Sequence, residues 1–257
     1  MKTILNFAII SLMLLVLVGC ENYTTPSGPA MSIFAGVPKD KVVVAGEPDV
    51  NEPNEVAGVA FEQREPMAKF PANIVYVRTQ EQGYKSQTAK GEGWGAFSVV
   101  YTRDIEKDSD WEQLGQMVNV AQIGPLSKLL VPAYLQSEKD LRQAAARLNS
   151  DMLLIYTLDT NFMDRDTSAG LTVITLGLGA TINVRVTSTV SALLLDTRSG
   201  YVYGVVEETA MQEKNTAALT SKNAMDNMRL AVERQAFEQF INEFELLWKN
   251  VSEEYAD

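Results

Sequence analysis

The sequence of 257 residues contains no histidine and a single cysteine, Cys20. Those two residue types supply most general bases, thiol nucleophiles and transition-metal ligands, so their scarcity excludes histidine-dependent hydrolases, cysteine enzymes and tetrahedral zinc sites. No Gly-x-Ser-x-Gly elbow occurs, and no serine has lysine three positions on. Basic residues are also few: 22 Lys and Arg stand against 33 Asp and Glu, a formal charge of −11. Such an acidic chain has no general attraction for phosphate backbones, which argues against nucleic acid as a partner. What remains is ordinary globular composition, 46% hydrophobic and 21% charged, with enough length for one large or two small cores.

The N-terminus carries an address. Lys2 precedes an uncharged apolar stretch from Ile4 to Val18, too short to span a bilayer comfortably, and small residues close it, the layout of a secretory signal. Leu17, Val18, Gly19 and Cys20 resemble the lipobox of bacterial lipoproteins. The resemblance implies that residues 1–19 are a signal peptide, that Cys20 is the lipid attachment site, and that Cys20 begins the mature chain. Each buried methylene contributes about 0.8 kcal/mol, so the two or three acyl chains of that family anchor stably where one would not. Lipidation also consumes the chain's one thiol. Cleavage would leave 33 acidic against 21 basic residues, giving no electrostatic help from an anionic surface. Glu21, rather than aspartate, in the second mature position resembles sorting to the outer membrane, with the periplasmic face expected.

From Cys20 to Pro66 the composition shifts: six of the nine prolines fall here, and acids outnumber bases eight to three. Residues 20–66 read as an acidic, Pro-rich tether. Two apolar islands, Lys41 to Ala45 and Val56 to Phe61, leave open an alternative in which they add edge strands. Residues 67–257 then read as one α/β (α+β) domain, a mixed sheet packed by two or three helices. Strands are expected at Ala72–Arg78, Phe97–Thr102, Met152–Leu158, Leu171–Leu176, Ile182–Leu195 (interrupted or bent) and Tyr201–Glu207. Asp108 or Ser109 is placed to cap a helix through about Val120 with Trp111, Leu114 and Val118 on one face. Ser137 and Asp140 form a capping-box variant before Leu141, Ala144, Ala145 and Leu148. Asp196-Thr197-Arg198-Ser199-Gly200 is a hairpin loop, Asp196 accepting from turn amides and Gly200 free to take positive φ. A long C-terminal amphipathic helix is marked by Met225, Met228, Val232, Ala236, Phe240, Phe244, Leu247 and Val251, widened by Phe237, Ile241 and Trp248.

Ala144 to Ile155, an alanine-rich helix running through an acidic turn into a buried strand, and the later Asp-x-x-Ser-Gly hairpin carry a second resemblance. They are similar to a lipoprotein group that includes the curli secretion channel subunit, the penicillin-binding-protein activator lipoproteins and an exopolysaccharide-export lipoprotein. Ser150 stands where that group usually has glycine or alanine. The resemblance implies an α/β domain that works by protein contact.

Candidate chemistry is thin. The segment Asp159 to Gly170 offers oxygen ligands, but from Asp164 the glycine arrives one residue late and Thr175 replaces the closing glutamate of an EF-hand, so a solvated acidic loop is expected. Gly91-Glu92-Gly93-Trp94-Gly95 lacks the Lys-Ser/Thr of a phosphate cradle and reads as a flexible loop. Leu176 to Ala180 lies between strands rather than before a helix. Glu207 and Glu208 are strand neighbours and point to opposite faces, so they do not converge as glycosidase carboxylates. Tyr201, Tyr203, Trp94 and Trp111 suggest either a stacking surface or ordinary core packing. The expectation is therefore a lipid-anchored envelope protein, not an enzyme. It would need no metal or cofactor and would bind an envelope protein in assembly or export, a homo-oligomer remaining open. The alternative is a glycan-active hydrolase with paired carboxylates.

Overall fold

The computed structural model describes residues 26, 28, 64–165, 181–217 and 222–256. Cys20, the two apolar islands, Leu171–Leu176 and Leu176–Ala180 lie outside them. The elements run β1 (Ala72–Glu81), β2 (Gly91–Glu92), β3 (Trp94–Gly95), β4 (Phe97–Val100), α1 (Asp108–Gly115), β5 (Val120–Pro125), β6 (Tyr134–Leu135), α2 (Glu138–Ala146), β7 (Met152–Arg165), β8 (Thr181–Asp196), β9 (Val202–Ala217) and α3 (Lys222–Tyr255). The main sheet has the order β2-β4-β1-β7-β8-β9, with β5 also beside β1. It is mixed: β1 is parallel to β5 and β7, and the other ladders are antiparallel.

Both faces of the central strands are apolar, so both must be covered. Ile74, Tyr76, Leu154 and Tyr156 face one core, closed by Trp111 and Leu114 of α1 and by Val232, Phe237, Phe240, Phe244 and Trp248 of α3. Val75, Val77, Leu153, Ile155, Leu193 and Leu195 face the other, closed by Leu141, Ala144 and Ala145 of α2. This is the α/β arrangement the pattern implies, and the C-terminal stripe packs on the protein's own sheet. Among the described residues no helix is long and apolar enough to cross a membrane.

Local chemistry explains the best-matched elements. At the head of α2, Asp140 accepts from the amide of Ser137 at 3.1 Å and that of Gln136 at 2.7 Å. In the β8–β9 hairpin, Asp196 Oδ1 accepts from the amides of Arg198 (2.8 Å) and Ser199 (2.9 Å), and Gly200 sits at φ +73.

Several expectations are corrected. Lys107, not Asp108 or Ser109, caps α1, with Asp110 accepting from its amide at 2.8 Å. This helix stops at Gly115, Val118 is 79% exposed, and Asn119 at φ +65 turns the chain into β5, a strand the sequence reading missed. Leu148 is exposed because α2 ends at Ala146 and Asn149 takes φ +56. β8 is not interrupted, being paired along its whole length with β7 and β9; its one register shift lies at Leu194/Leu195, beside the hairpin. β7 and β9 outrun their expected ends.

Candidate functional site

One edge of β1 changes partner partway. Ala72 to Tyr76 pair with β5, whereas Arg78 to Glu81 pair with β4, and the side chain of Arg78 is buried at this fork. A buried guanidinium is stable only when its donors are met by charge and hydrogen bonds. Arg78 Nη1 donates to Asp104 Oδ1 at 2.7 Å and lies 3.8 Å from Glu106 Oε1, while Nη2 donates to Tyr84 Oη at 3.0 Å. Glu106 Oε1 also accepts from Tyr156 Oη at 2.6 Å. Thr88 joins this group to a second one, donating to Asp104 at 2.5 Å and accepting from Arg229 Nη2 at 2.9 Å. Arg229, fully buried on α3, pairs with Asp226 at 2.9 Å and Glu233 at 2.5 Å, and Thr160 of β7 donates to Glu233 at 2.8 Å.

The electrostatics follow from burial set against pairing. Burial works to raise the Asp104 carboxyl, but Arg78, Thr88 and Arg229 outweigh it and hold it below the ordinary carboxylate range. At Glu233 burial wins, and the carboxyl stays above its ordinary value despite Arg229 and Arg78. Burial disfavours both guanidinium charges, yet the surrounding carboxylates push Arg78 and Arg229 up. The network clamps α3 to β1, β7 and the segment before α1. Beside it opens a cleft of about 270 Å³ between Tyr76, Arg78, Tyr101, Arg103, Glu106 and Leu126. Burial, with help from Glu92, pushes the Tyr101 hydroxyl up to about 12, so it is a neutral donor there.

The residues singled out from sequence scatter. Glu207 and Glu208 occupy consecutive positions of β9 and do not converge; Glu207 accepts from Ser191 across the ladder at 3.1 Å. Trp111 is buried and stacked on Tyr76 at 3.5 Å, whereas Tyr201 and Tyr203 cluster with Tyr255 at the hairpin end of the domain. They form no common surface with Trp94, which is 58% exposed and lies 4.3 Å from the ring of Tyr134. The Gly91–Gly95 segment is not a flexible loop: β2 pairs with β4, and β3 pairs with β6. Gly95 is required there, at φ +123, because a Cβ would meet the Leu135 carbonyl at 2.1 Å. Asp159 to Arg165 belong to β7 rather than to an acidic loop. Among the described residues no group of three or more acidic, His or Cys side chains is placed to hold a metal, and a chelator is expected to leave the thermal midpoint unchanged. A sharp drop with EDTA would contradict this.

Sequence reasoning missed the ionic network. Its one legible trace is Asp226, Arg229 and Glu233 at i, i+3 and i+7 beside the apolar stripe of α3, where a solvated helix would carry no such set on its packed side.

No protein-family model and no curated protein matches the sequence. Solved structures give remote likenesses of fold. A homologue of the neuraminyllactose-binding hemagglutinin from Helicobacter pylori is 6% identical, covering 74% of this chain and 94% of its own, at TM-score 0.36. A lipoprotein from Neisseria meningitidis is 12% identical over 64% and 97%, at 0.29. A Xanthomonas campestris protein of a family without assigned function is also 12% identical, over 71% and 84%, at 0.29.

Proposed function

We propose that this chain is a lipid-anchored envelope protein that acts by protein contact in envelope assembly or export, not by catalysis. The lipobox-like Leu17 to Cys20 supports the anchor and Glu21 supports outer-membrane sorting; residues 20–66 would tether the domain of residues 67–257, which in this proposal lies on the periplasmic side. The observation that carries the contact reading is an exposed apolar platform. The short β3–β6 ladder sets Trp94 beside Tyr134, the latter 44% exposed, and Leu129, in the turn before β6, is 93% exposed. Tryptophan and tyrosine are the side chains most enriched among the residues that carry interface energy, because one rigid ring buries a large area.

The test uses the full-length chain. Cys20→Ser is expected to disappear from the outer-membrane fraction, and recovery there at wild-type yield would overturn the anchor. Trp94→Ala is expected to keep the parent's melting temperature and lose, by about tenfold or more, the protein captured from envelope extracts. Unchanged protein capture, or recovery of cell-wall polysaccharide in its place, would overturn the contact reading.

A further inference from the structure

The sheet ends in an unusually long strand. β9 spans 16 residues, and among the described residues its outer edge has no strand partner. Such an edge displays a row of amides and carbonyls ready to pair with another strand. It carries no proline to block pairing, and its outer half reads Glu207-Glu208-Thr209-Ala210-Met211-Gln212-Glu213-Lys214.

We propose that this edge pairs with the same edge of a second copy of this chain, antiparallel about a two-fold axis through Met211, so that two sheets join into one. Register selects the axis. Side chains keep their faces only if paired residue numbers share parity, so the axis must pass through a residue, and few choices exist. An axis through Ala210 sets Glu207 against Glu213 of the partner, a like-charge pair repeated by symmetry. One through Thr209 sets Lys214 against Gly204, and one through Gln212 sets Lys214 against Ala210. The axis at Met211 alone sets Glu208 opposite Lys214, twice, with Thr209 opposite Glu213 and the two Met211 side chains facing each other.

Two further observations agree. Met211 is 53% exposed in the single chain, an apolar side chain amid polar neighbours, and the axis would cover it. Lys214 makes no ion pair among the described residues, whereas Glu213 is held by Arg185 within the chain. The charges that blunt the edge against strangers thus complement a second copy, which is how a paired edge rejects other registers. This inference goes beyond the lipid-anchor reading and does not rest on it.

The experiment is cysteine cross-linking of the full-length protein in detergent under mild oxidation, with mass measured by analytical ultracentrifugation. Opposed residues of an antiparallel pair lie about 4.5 to 5.5 Å apart at Cα, within disulfide reach. Residues displaced by four positions lie about 13 Å apart, beyond it. Met211→Cys is therefore expected to give a covalent dimer, while Thr209→Cys, Glu213→Cys and the parent chain do not. Glu208→Lys alone is expected to weaken dimerisation about tenfold or more, and Lys214→Glu added to it is expected to restore it. A monomeric parent, equal cross-linking at all three positions, or a double reversal that stays monomeric would each overturn the proposal. A parent that also cross-links would place a free thiol at Cys20 and overturn the lipid anchor; Met211→Cys in a Cys20→Ser background is then still expected to cross-link, and its failure to do so would overturn the pairing.

Discussion

Phe244→Ala is expected to cost about 3 to 5 kcal/mol of stability, the range for truncating a fully buried phenylalanine. Its ring is wholly enclosed, 5.9 Å from Phe240, in the core that α3 shares with β8 and β9. No smaller neighbour can slide in, because Phe237, Phe240 and Trp248 are themselves fixed by rings or hydrogen bonds; the Trp248 indole donates to the Val118 carbonyl at 2.8 Å. Such a loss would remove a large part of a typical domain's margin. A urea melt that shifts by less than about 1 kcal/mol would show that this face is not self-packed.

Arg229→Met should be comparably severe, about 3 to 5 kcal/mol, for a different reason. The methionine keeps much of the apolar stem but leaves Asp226 and Glu233 without their cation, and Asp104 with one fewer. Removing one charge of a buried set costs more than removing the set, so Arg229→Met with Glu233→Met should be less destabilised than the sum of the two single changes. The pH dependence has a definite sign. A carboxyl whose folded pKa is raised contributes stability below its unfolded value, and that contribution fades as pH rises through the folded value. Glu233 is already above its ordinary 4.5 with Arg229 present, and it rises further without it. The deficit of the variant should therefore shrink as pH falls from neutrality toward the unfolded value. A deficit that is constant or grows on acidification, measured by melts across that range, would show that Glu233 is not the stranded charge.

Elements specified by their own residues were legible in the sequence. The Asp196–Gly200 hairpin needs only a carboxylate beside its turn amides and a glycine at positive φ, and the stripe of α3 repeats from Met225 to Val251, about seven turns. β5 was not legible because Gln122, Gly124 and Pro125 dilute its pattern; its strand character comes from lying against β1. Serines and threonines made β8 read as broken, yet on one face they are the rungs of a solvated ladder, with Thr189 bonded to Thr209 at 2.8 Å. The ionic network is tertiary in kind: Arg78, Asp104 and Arg229 become partners only after β1, the segment before α1, and α3 have met. The exposure of Trp94 likewise depends on β6, whose two residues carry no strand signal.

The order in which these parts appear along the chain has a consequence for how the protein is made. α3 is the last element, yet it supplies most of the lid over the larger core, and β1 must wait for β7 before its second edge is filled. A chain emerging N-terminus first therefore carries Ile74, Tyr76, Leu154 and Tyr156 on an open apolar face, with the Arg78–Asp104 pair still lacking Arg229, until its final helix arrives. Whatever carries the nascent chain through that interval must shield a half-built sheet. That interval lasts until β8 and β9, which separate β7 from α3, have emerged and the helix after them is complete.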